Sequence, residues 1–303
     1  MVSKRKRTAK IASFCLVIHF LLSFLATKIV YDAIFSRYDP PQNTILDSAL
    51  ADIMQPVTFP SGENVLSGKL FDSTGDTLVV IAPGLRSHIG DFVPLITKLV
   101  QEYDRDVFIF DMTGSCESEG DSCLGFPQAV LDLHAALDYI DLAYDYEDIF
   151  LVGHSRGGYA VCCVLETRTG IDAAVSINSP GSPMDAVMSG SVNTVGWLAY
   201  GNYPTLYLYQ ALLFDFRSAA QTAADAINNS NTPVLIIQSQ QDETVRWDFF
   251  SVYADKEKLT GGNAEFWLVN GGHSDVLYNE TGLDVNGELW ERIEQFISEQ
   301  CGT

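Results

Sequence analysis

The sequence predicts an α/β fold in which a mostly parallel sheet carries helices on both faces. Apolar runs near residues 65–71, 77–82, 107–111, 148–153, 173–178, 233–238 and 265–269 alternate with helical stretches near 90–103, 126–142, 156–168 and 285–299. That alternation is what crossover-connected parallel strands produce. The runs are near-continuous Val, Ile and Leu, as strands buried on both faces require, and lack the in–out pattern of a half-exposed sheet. The roughly 250 residues that carry the pattern suit one domain with ample core.

The first element stands apart from this pattern. Lys4, Arg5, Lys6, Arg7 and Lys10 precede residues 11–27, a stretch with no Asp, Glu, Lys or Arg, and apolar residues resume after Lys28 as Ile29, Val30 and Tyr31. Extended by a snorkelling lysine, such a run reaches the short end of a membrane span. A secretory signal peptide shares the basic start and apolar middle, but Phe24-Leu25-Ala26 puts Phe at the −3 position, where a small residue is wanted. Residues 1–35 therefore read as a basic cytoplasmic tail and an uncleaved transmembrane signal anchor. Positive residues stay in the cytoplasm, which places the rest of the chain on the extracytoplasmic side; cleavage of the segment would make it secreted. Residues 36–56, with Pro40-Pro41, read as a spacer, and residues 57–303 as the globular domain. The formal net charge is −21, more negative still without the five terminal cations. Such a balance argues against nucleic acid and anionic lipid headgroups as partners.

Within the domain, chemistry begins behind the strand at 148–153. Asp148-Ile149-Phe150-Leu151-Val152 runs into Gly153-His154-Ser155-Arg156-Gly157-Gly158, and residues 159–165 follow as an apolar helix. A G-x-S-x-G turn between strand and helix lifts its serine clear of the sheet. Small residues flank it because a Cβ there would collide with the neighbouring helix. Ser155 is the candidate nucleophile. On this turn and its setting, the chain from about residue 57 onward resembles the α/β-hydrolase superfamily, most nearly its serine aminopeptidase-like and general esterase branch. The resemblance implies a central sheet with a cap insertion, and an acid and then a histidine downstream of the serine.

Residues 233–241 read as a buried strand leading to Asp242, and residues 264–269 as a final strand leading through Asn270-Gly271-Gly272 to His273. Both candidates then stand at carboxyl ends of strands, where open parallel sheets bind ligands. His273 is the candidate base. Of the other histidines, His19 lies in the N-terminal apolar segment, His134 in a mid-chain helix and His154 inside the turn, while His88 is too close to the expected oxyanion loop. Asp275 and Asp284 read as solvated loop acids, which leaves Asp242 as the orienting acid. The resemblance also implies two backbone N–H donors for an oxyanion, those of Arg156 and of Leu85 in Pro83-Gly84-Leu85-Arg86. A further match starts at Asp111, where many relatives carry D-x-R-G-x-G-x-S-x-G. This chain keeps Asp111, Gly114, Ser118 and Gly120 but has Thr113 for the arginine and Cys116 for the second glycine.

Cys116 and Cys123 bracket a short polar loop, which can bring their Cα atoms to the roughly 5.5 Å a disulfide needs. Outside the cytosol such a bond would persist, and two free, buried thiols are the alternative. Asn228-Asn229-Ser230 and Asn279-Glu280-Thr281 are glycosylation sequons, relevant in a eukaryotic host. Residues 181–231 are expected to cross the site as a cap. Trp197, Tyr200, Tyr203, Tyr207, Tyr209, Phe214 and Phe216 would give it an apolar surface with hydroxyl tips. The cap has no glutamate and one cation, Arg217, which suits a neutral ester or thioester better than a substrate ammonium or phosphate. The expected activity is that of a membrane-anchored serine hydrolase. It would act on a small-molecule acyl ester through an acyl-enzyme on Ser155, with no metal or organic cofactor. A peptidase or amidase on a peptide-like substrate, an acyltransferase, and a non-catalytic binding ectodomain are the alternatives.

Overall fold

The computed structural model describes residues 2–40, 48–73, 75–279 and 284–301. One sheet is built from β1 (Met54–Ser61), β2 (Asn64–Phe71), β3 (Thr77–Ala82), β4 (Asp106–Phe110), β5 (Asp148–His154), β6 (Ala173–Ile177), β7 (Val234–Ser239) and β8 (Ala264–Val269). Its strand order is β1-β2-β4-β3-β5-β6-β7-β8. β2 runs antiparallel to β1 and β4, and every later pairing is parallel. Alternate residues of a strand point to opposite faces, and the core divides accordingly. Leu78, Val80, Phe108 and Phe110 pack with α4 (Phe126–Ala143) and α5 (Arg156–Val164), whereas Val79, Ile81, Val107 and Ile109 pack with α3 (Val93–Tyr103) and α10 (Gly287–Ser298). Helices thus cover both faces of a mostly parallel sheet, and the architecture is the α/β-hydrolase fold.

Two features depart from the sequence expectation. β1 lies partly inside the expected spacer and carries Pro56 and Pro60, which read against a strand. Prolines are tolerated there because β1 is the edge of the sheet. The cap between β6 and β7 is helical: α6 (Pro183–Val195), a 3₁₀ segment Gly196–Asn202, α7 (Tyr203–Leu213), α8 (Phe216–Ala220) and α9 (Ala223–Asn228).

The second departure is the N-terminal helix. α1 (Val2–Ile34) is continuous, and its part Lys10–Ile34 is long and apolar enough to cross a membrane. Residues 10–22 are exposed all round, but from Ser23 onward the helix docks on the cap and the domain. Ser23 Oγ donates to Asn202 Oδ1 at 2.6 Å, and the Thr27 and Thr205 hydroxyls pair at 2.9 Å. The rings of Phe24 and Tyr31 meet Tyr209 edge-on at 5.7 and 5.3 Å. Lys28 and Asp32 form an ion pair that Tyr209 joins. Tyr31 and Phe35 retain only 2% and 1% of their surface.

The chain after α1 is stitched down as well. Arg37 donates to the carbonyls of Cys116, Ser118 and Gly120 at 2.7–2.9 Å, and Tyr38 exchanges backbone bonds with Gly114 and Cys116. This stitching replaces the expected disulfide. The sulfurs of Cys116 and Cys123 are not bonded to one another: Cys123 Sγ faces the Gly114 carbonyl at 3.3 Å, and Cys116 turns to Asp111. Residues 35–38 already hold the loop shut, with Cys123 N–H donating to the Phe35 carbonyl at 2.7 Å. Of the two sequons, Asn228 has its amide engaged with Lys258, Thr260 and Gly261, and Glu280 and Thr281 lie outside the described residues.

Candidate active site

The turn after β5 is dictated by contacts at its glycines. A Cβ on Gly157 would lie 1.8 Å from the Ala82 carbonyl oxygen, and one on Gly153 would lie 2.4 Å from that of Gly157. Strand and helix can approach this closely only without side chains. Ser155 sits at the apex with φ 54° and ψ −116°, a strained conformation for a residue with a Cβ. Gly157→Ala is expected to exceed the about 1–3 kcal/mol of ordinary overpacking, because the obstacle is backbone. Soluble yield and thermal melting check this, and a melting temperature within a few degrees of the parent would contradict the packing described.

The structure brings Ser155, His273 and Asp242 together from three separate loops. His273 Nε2 lies 2.9 Å from Ser155 Oγ, and His273 Nδ1 lies 2.8 Å from Asp242 Oδ2. Asp242 is buried, and its Oδ1 accepts from the backbone N–H groups of Thr244 at 2.9 Å and Val245 at 2.8 Å. It accepts the Nδ1 proton of His273 and leaves Nε2 bare to receive the serine hydroxyl. Asp275 and Asp284, the rival acids, are exposed loop residues.

Two positioning residues escaped the sequence reading. Asn178, at φ 50° just beyond β6, donates from Nδ2 to the His273 carbonyl at 2.7 Å and to Ser239 Oγ at 2.9 Å; its Oδ1 accepts from Ser239 N–H at 2.7 Å. It thereby ties the end of β7 to the histidine loop. His154 reaches the same carbonyl through Nε2 at 2.8 Å. A carbonyl only accepts, so His154 carries its proton on Nε2. Burial, reinforced by the neighbouring His273, pushes its pKa down to about 3, which keeps this imidazole neutral beside the candidate base. The sequence signal for Asn178 was slight: a polar residue closing the strand next to the serine's own.

The two expected oxyanion donors border the serine. Arg156 opens α5, so its N–H is among the first-turn donors with no intrahelical acceptor. The loop of Leu85 is pressed against the turn: a Cβ on Gly84 would meet His154 Nδ1 at 3.2 Å and Ser155 Cβ at 3.4 Å. Leu85 and Arg86 line, with Ser155 and His273, a cavity of about 670 Å³, within the range of small-molecule sites.

The walls of that cavity are not those the cap's aromatic residues suggested. They come from α6 through Val187, Met188 and Val195, and from α1 through Ala26, Val30 and Ile34. Trp197, Tyr200, Tyr203 and Phe216 instead turn outward, and Tyr209 packs on α1. Among the described residues the charged side chain in the lining is Arg86; apart from the serine and histidine the others are apolar or carry a neutral polar group.

Comparison with known proteins places the chain among the α/β-hydrolases. A family described as serine aminopeptidase, S33, matches residues 74–231. Among solved structures, an esterase of Pyrococcus furiosus, Pf2001, is similar with a TM-score of 0.67 at 18% identity, over 88% of this chain and 100% of that one. Est1E from Butyrivibrio proteoclasticus, solved with ferulic acid bound, is similar with a TM-score of 0.61 at 18% identity, over 82% of this chain and 100% of that one. An acylaminoacyl peptidase of Pyrococcus horikoshii gives 0.55 at 16% identity, over 74% of this chain and 38% of that one. Identities this low carry the fold alone. No curated protein matches the chain in sequence.

Proposed function

The chain belongs to the serine aminopeptidase (S33) family of α/β-hydrolases, and we propose that it is a membrane-anchored serine hydrolase of carboxylic esters. The observation that carries this reading is the Asp242–His273–Ser155 relay at 2.8 and 2.9 Å, opening into an apolar cavity. Ser155 Oγ attacks the acyl carbon as His273 Nε2 takes its proton. Asp242 holds the resulting imidazolium, and the N–H groups of Leu85 and Arg156 stabilise the tetrahedral oxyanion. The C–O bond to the leaving alcohol breaks as His273 returns the proton to that oxygen. Water then gives a proton to His273 and attacks the acyl carbon, releasing a carboxylic acid and restoring the serine.

Ester rather than amide chemistry is supported by the lining, where Arg86 is the one charged side chain among the described residues besides the candidate base. A peptide's free ammonium would call for a carboxylate. Similarity to esterases and to an acylaminoacyl peptidase is compatible with either bond. Turnover of p-nitrophenyl acyl esters beside aminoacyl p-nitroanilides decides: the expected result is a kcat/KM at least about 10²-fold greater for the esters. Faster cleavage of the anilides would overturn the ester reading in favour of a peptidase.

Anchoring is supported by length and docking. The Lys10–Ile34 segment spans 25 residues, about 37 Å at 1.5 Å per residue, against a hydrocarbon core of about 30 Å. Cleavage after Ala26 as a signal peptide would remove the docked Ser23 and Phe24 and the cavity-lining Ala26. The basic residues at the start of α1 support an extracytoplasmic domain.

A further inference from the structure

The N-terminal helix is more than a tether. We infer that it forms one wall of the acyl site and sinks the cap edge Gly196–Asn202 into the bilayer surface. The substrate on this view is a bilayer-resident long-chain acyl ester whose chain enters laterally along α1. The inference rests on the ester-hydrolase reading and names its substrate class.

Depth follows from where the helix first touches the domain. Residues 10–22 are exposed on every side and cover about 20 Å, which falls short of the about 30 Å of hydrocarbon. The missing 10 Å must come from the next two turns, residues 23–29, and these are already docked on the cap. Contacts along the two helices advance in the same direction: Ser23 meets Asn202 and Thr205, Thr27 meets Thr205, and Lys28 and Tyr31 meet Tyr209. α1 and α7 therefore run parallel, and the segment before α7 lies on the bilayer side of Ser23. A span that reaches its full length carries that segment in with it.

The composition of this edge fits the environment. Leu198 is 84% exposed and Trp197 56%, and Trp197 stacks on Tyr200, which stacks on Tyr203 at 6.1 Å. In water such a patch is costly, whereas Trp and Tyr are favoured at the headgroup level. Polar groups of the span are served by the same contact, since the hydroxyls of Ser23 and Thr27 are paired with Asn202 and Thr205. The acidic domain repels anionic headgroups, so a zwitterionic bilayer is the surface that fits.

The cavity reaches this level. It extends from Ser155 and His273 to Ala26 and Thr27 of α1 and to Val195, Ala199 and Asn202 beside the immersed edge. An acyl chain lying against α1 would pass from lipid to the serine along apolar surface. The ester carbonyl is then attacked as above, yielding a free fatty acid and the alcohol.

Two measurements on the full chain in phosphatidylcholine nanodiscs test this. In the first, lipids brominated high on the acyl chain are expected to quench part of the tryptophan emission, and that part is lost in Trp197→Phe. Emission insensitive to the bromines, or equal quenching in Trp197→Phe, would overturn the immersion of this edge, whether water or a second copy covers it. The second uses Val30→Trp, which fills the cavity from the helix side. The ratio of kcat/KM for p-nitrophenyl palmitate to that for p-nitrophenyl acetate is expected to fall at least tenfold. An unchanged ratio would overturn the role of α1 as the acyl wall. Quenching needs no turnover, so a protein whose Trp197 is immersed but which hydrolyses no ester would contradict the proposed function and leave the placement of the cap standing.

Discussion

Ser155→Ala is expected to lower kcat by about 10⁶-fold, the scale found when the serine of such a relay is removed, while leaving the fold intact. The magnitude follows from what is lost. Without Oγ no acyl-enzyme forms, and His273 at 2.9 Å can at best activate a water that the site does not position. Binding and the backbone donors persist, so residual catalysis should come from these alone. Stability should change little, because alanine meets the same backbone strain at φ 54° that serine does. Initial rates with a p-nitrophenyl ester, paired with a thermal melt, check both halves. A loss smaller than about 10²-fold would point to another nucleophile.

The second large effect is expected at Asp242, where substitution by asparagine keeps the shape and changes the proton. Oδ1 of Asp242 accepts from Thr244 and Val245 N–H, and Oδ2 accepts from His273 Nδ1. An asparagine will turn its carbonyl oxygen toward the two backbone donors, which leaves its NH₂ facing Nδ1. A bare Nδ1 must then accept, and the imidazole proton moves to Nε2, where it points at Ser155 as a donor. A base in that tautomer cannot take the hydroxyl proton, and kcat should fall by about 10⁴-fold. The measurement is kcat for Asp242→Asn beside Asp242→Ala: a fall below tenfold in both would remove Asp242 from the relay.

How much of this could be read from the sequence depended on the range of the interactions. The serine turn is encoded in five consecutive residues, whose glycines answer to contacts with Ala82 and with the turn itself. Asp242 and His273 each close an apolar strand, so strand periodicity pointed to their loops. Asn178 closes a strand too, but its role depends on Ser239 and His273, contacts that no local pattern announces. The aromatic residues of the cap were legible as a surface and illegible as to what they face. The same holds for α1: its composition spoke of a membrane, while its docking through Tyr31 and Phe35 is tertiary. Cys116 and Cys123 are spaced for a disulfide, yet Arg37 and Tyr38, far away in the chain, hold the loop that the bond would have closed.

The central claim, that Ser155 is a nucleophile activated by His273, is tested most directly by a fluorophosphonate probe on the full chain, followed by peptide mapping of the adduct. The predicted result is a single covalent adduct on the peptide containing Ser155, absent in Ser155→Ala and formed at least about 10³-fold more slowly in His273→Ala. Intact protein that takes up no probe, or Ser155→Ala protein that labels as readily as the parent, would contradict it.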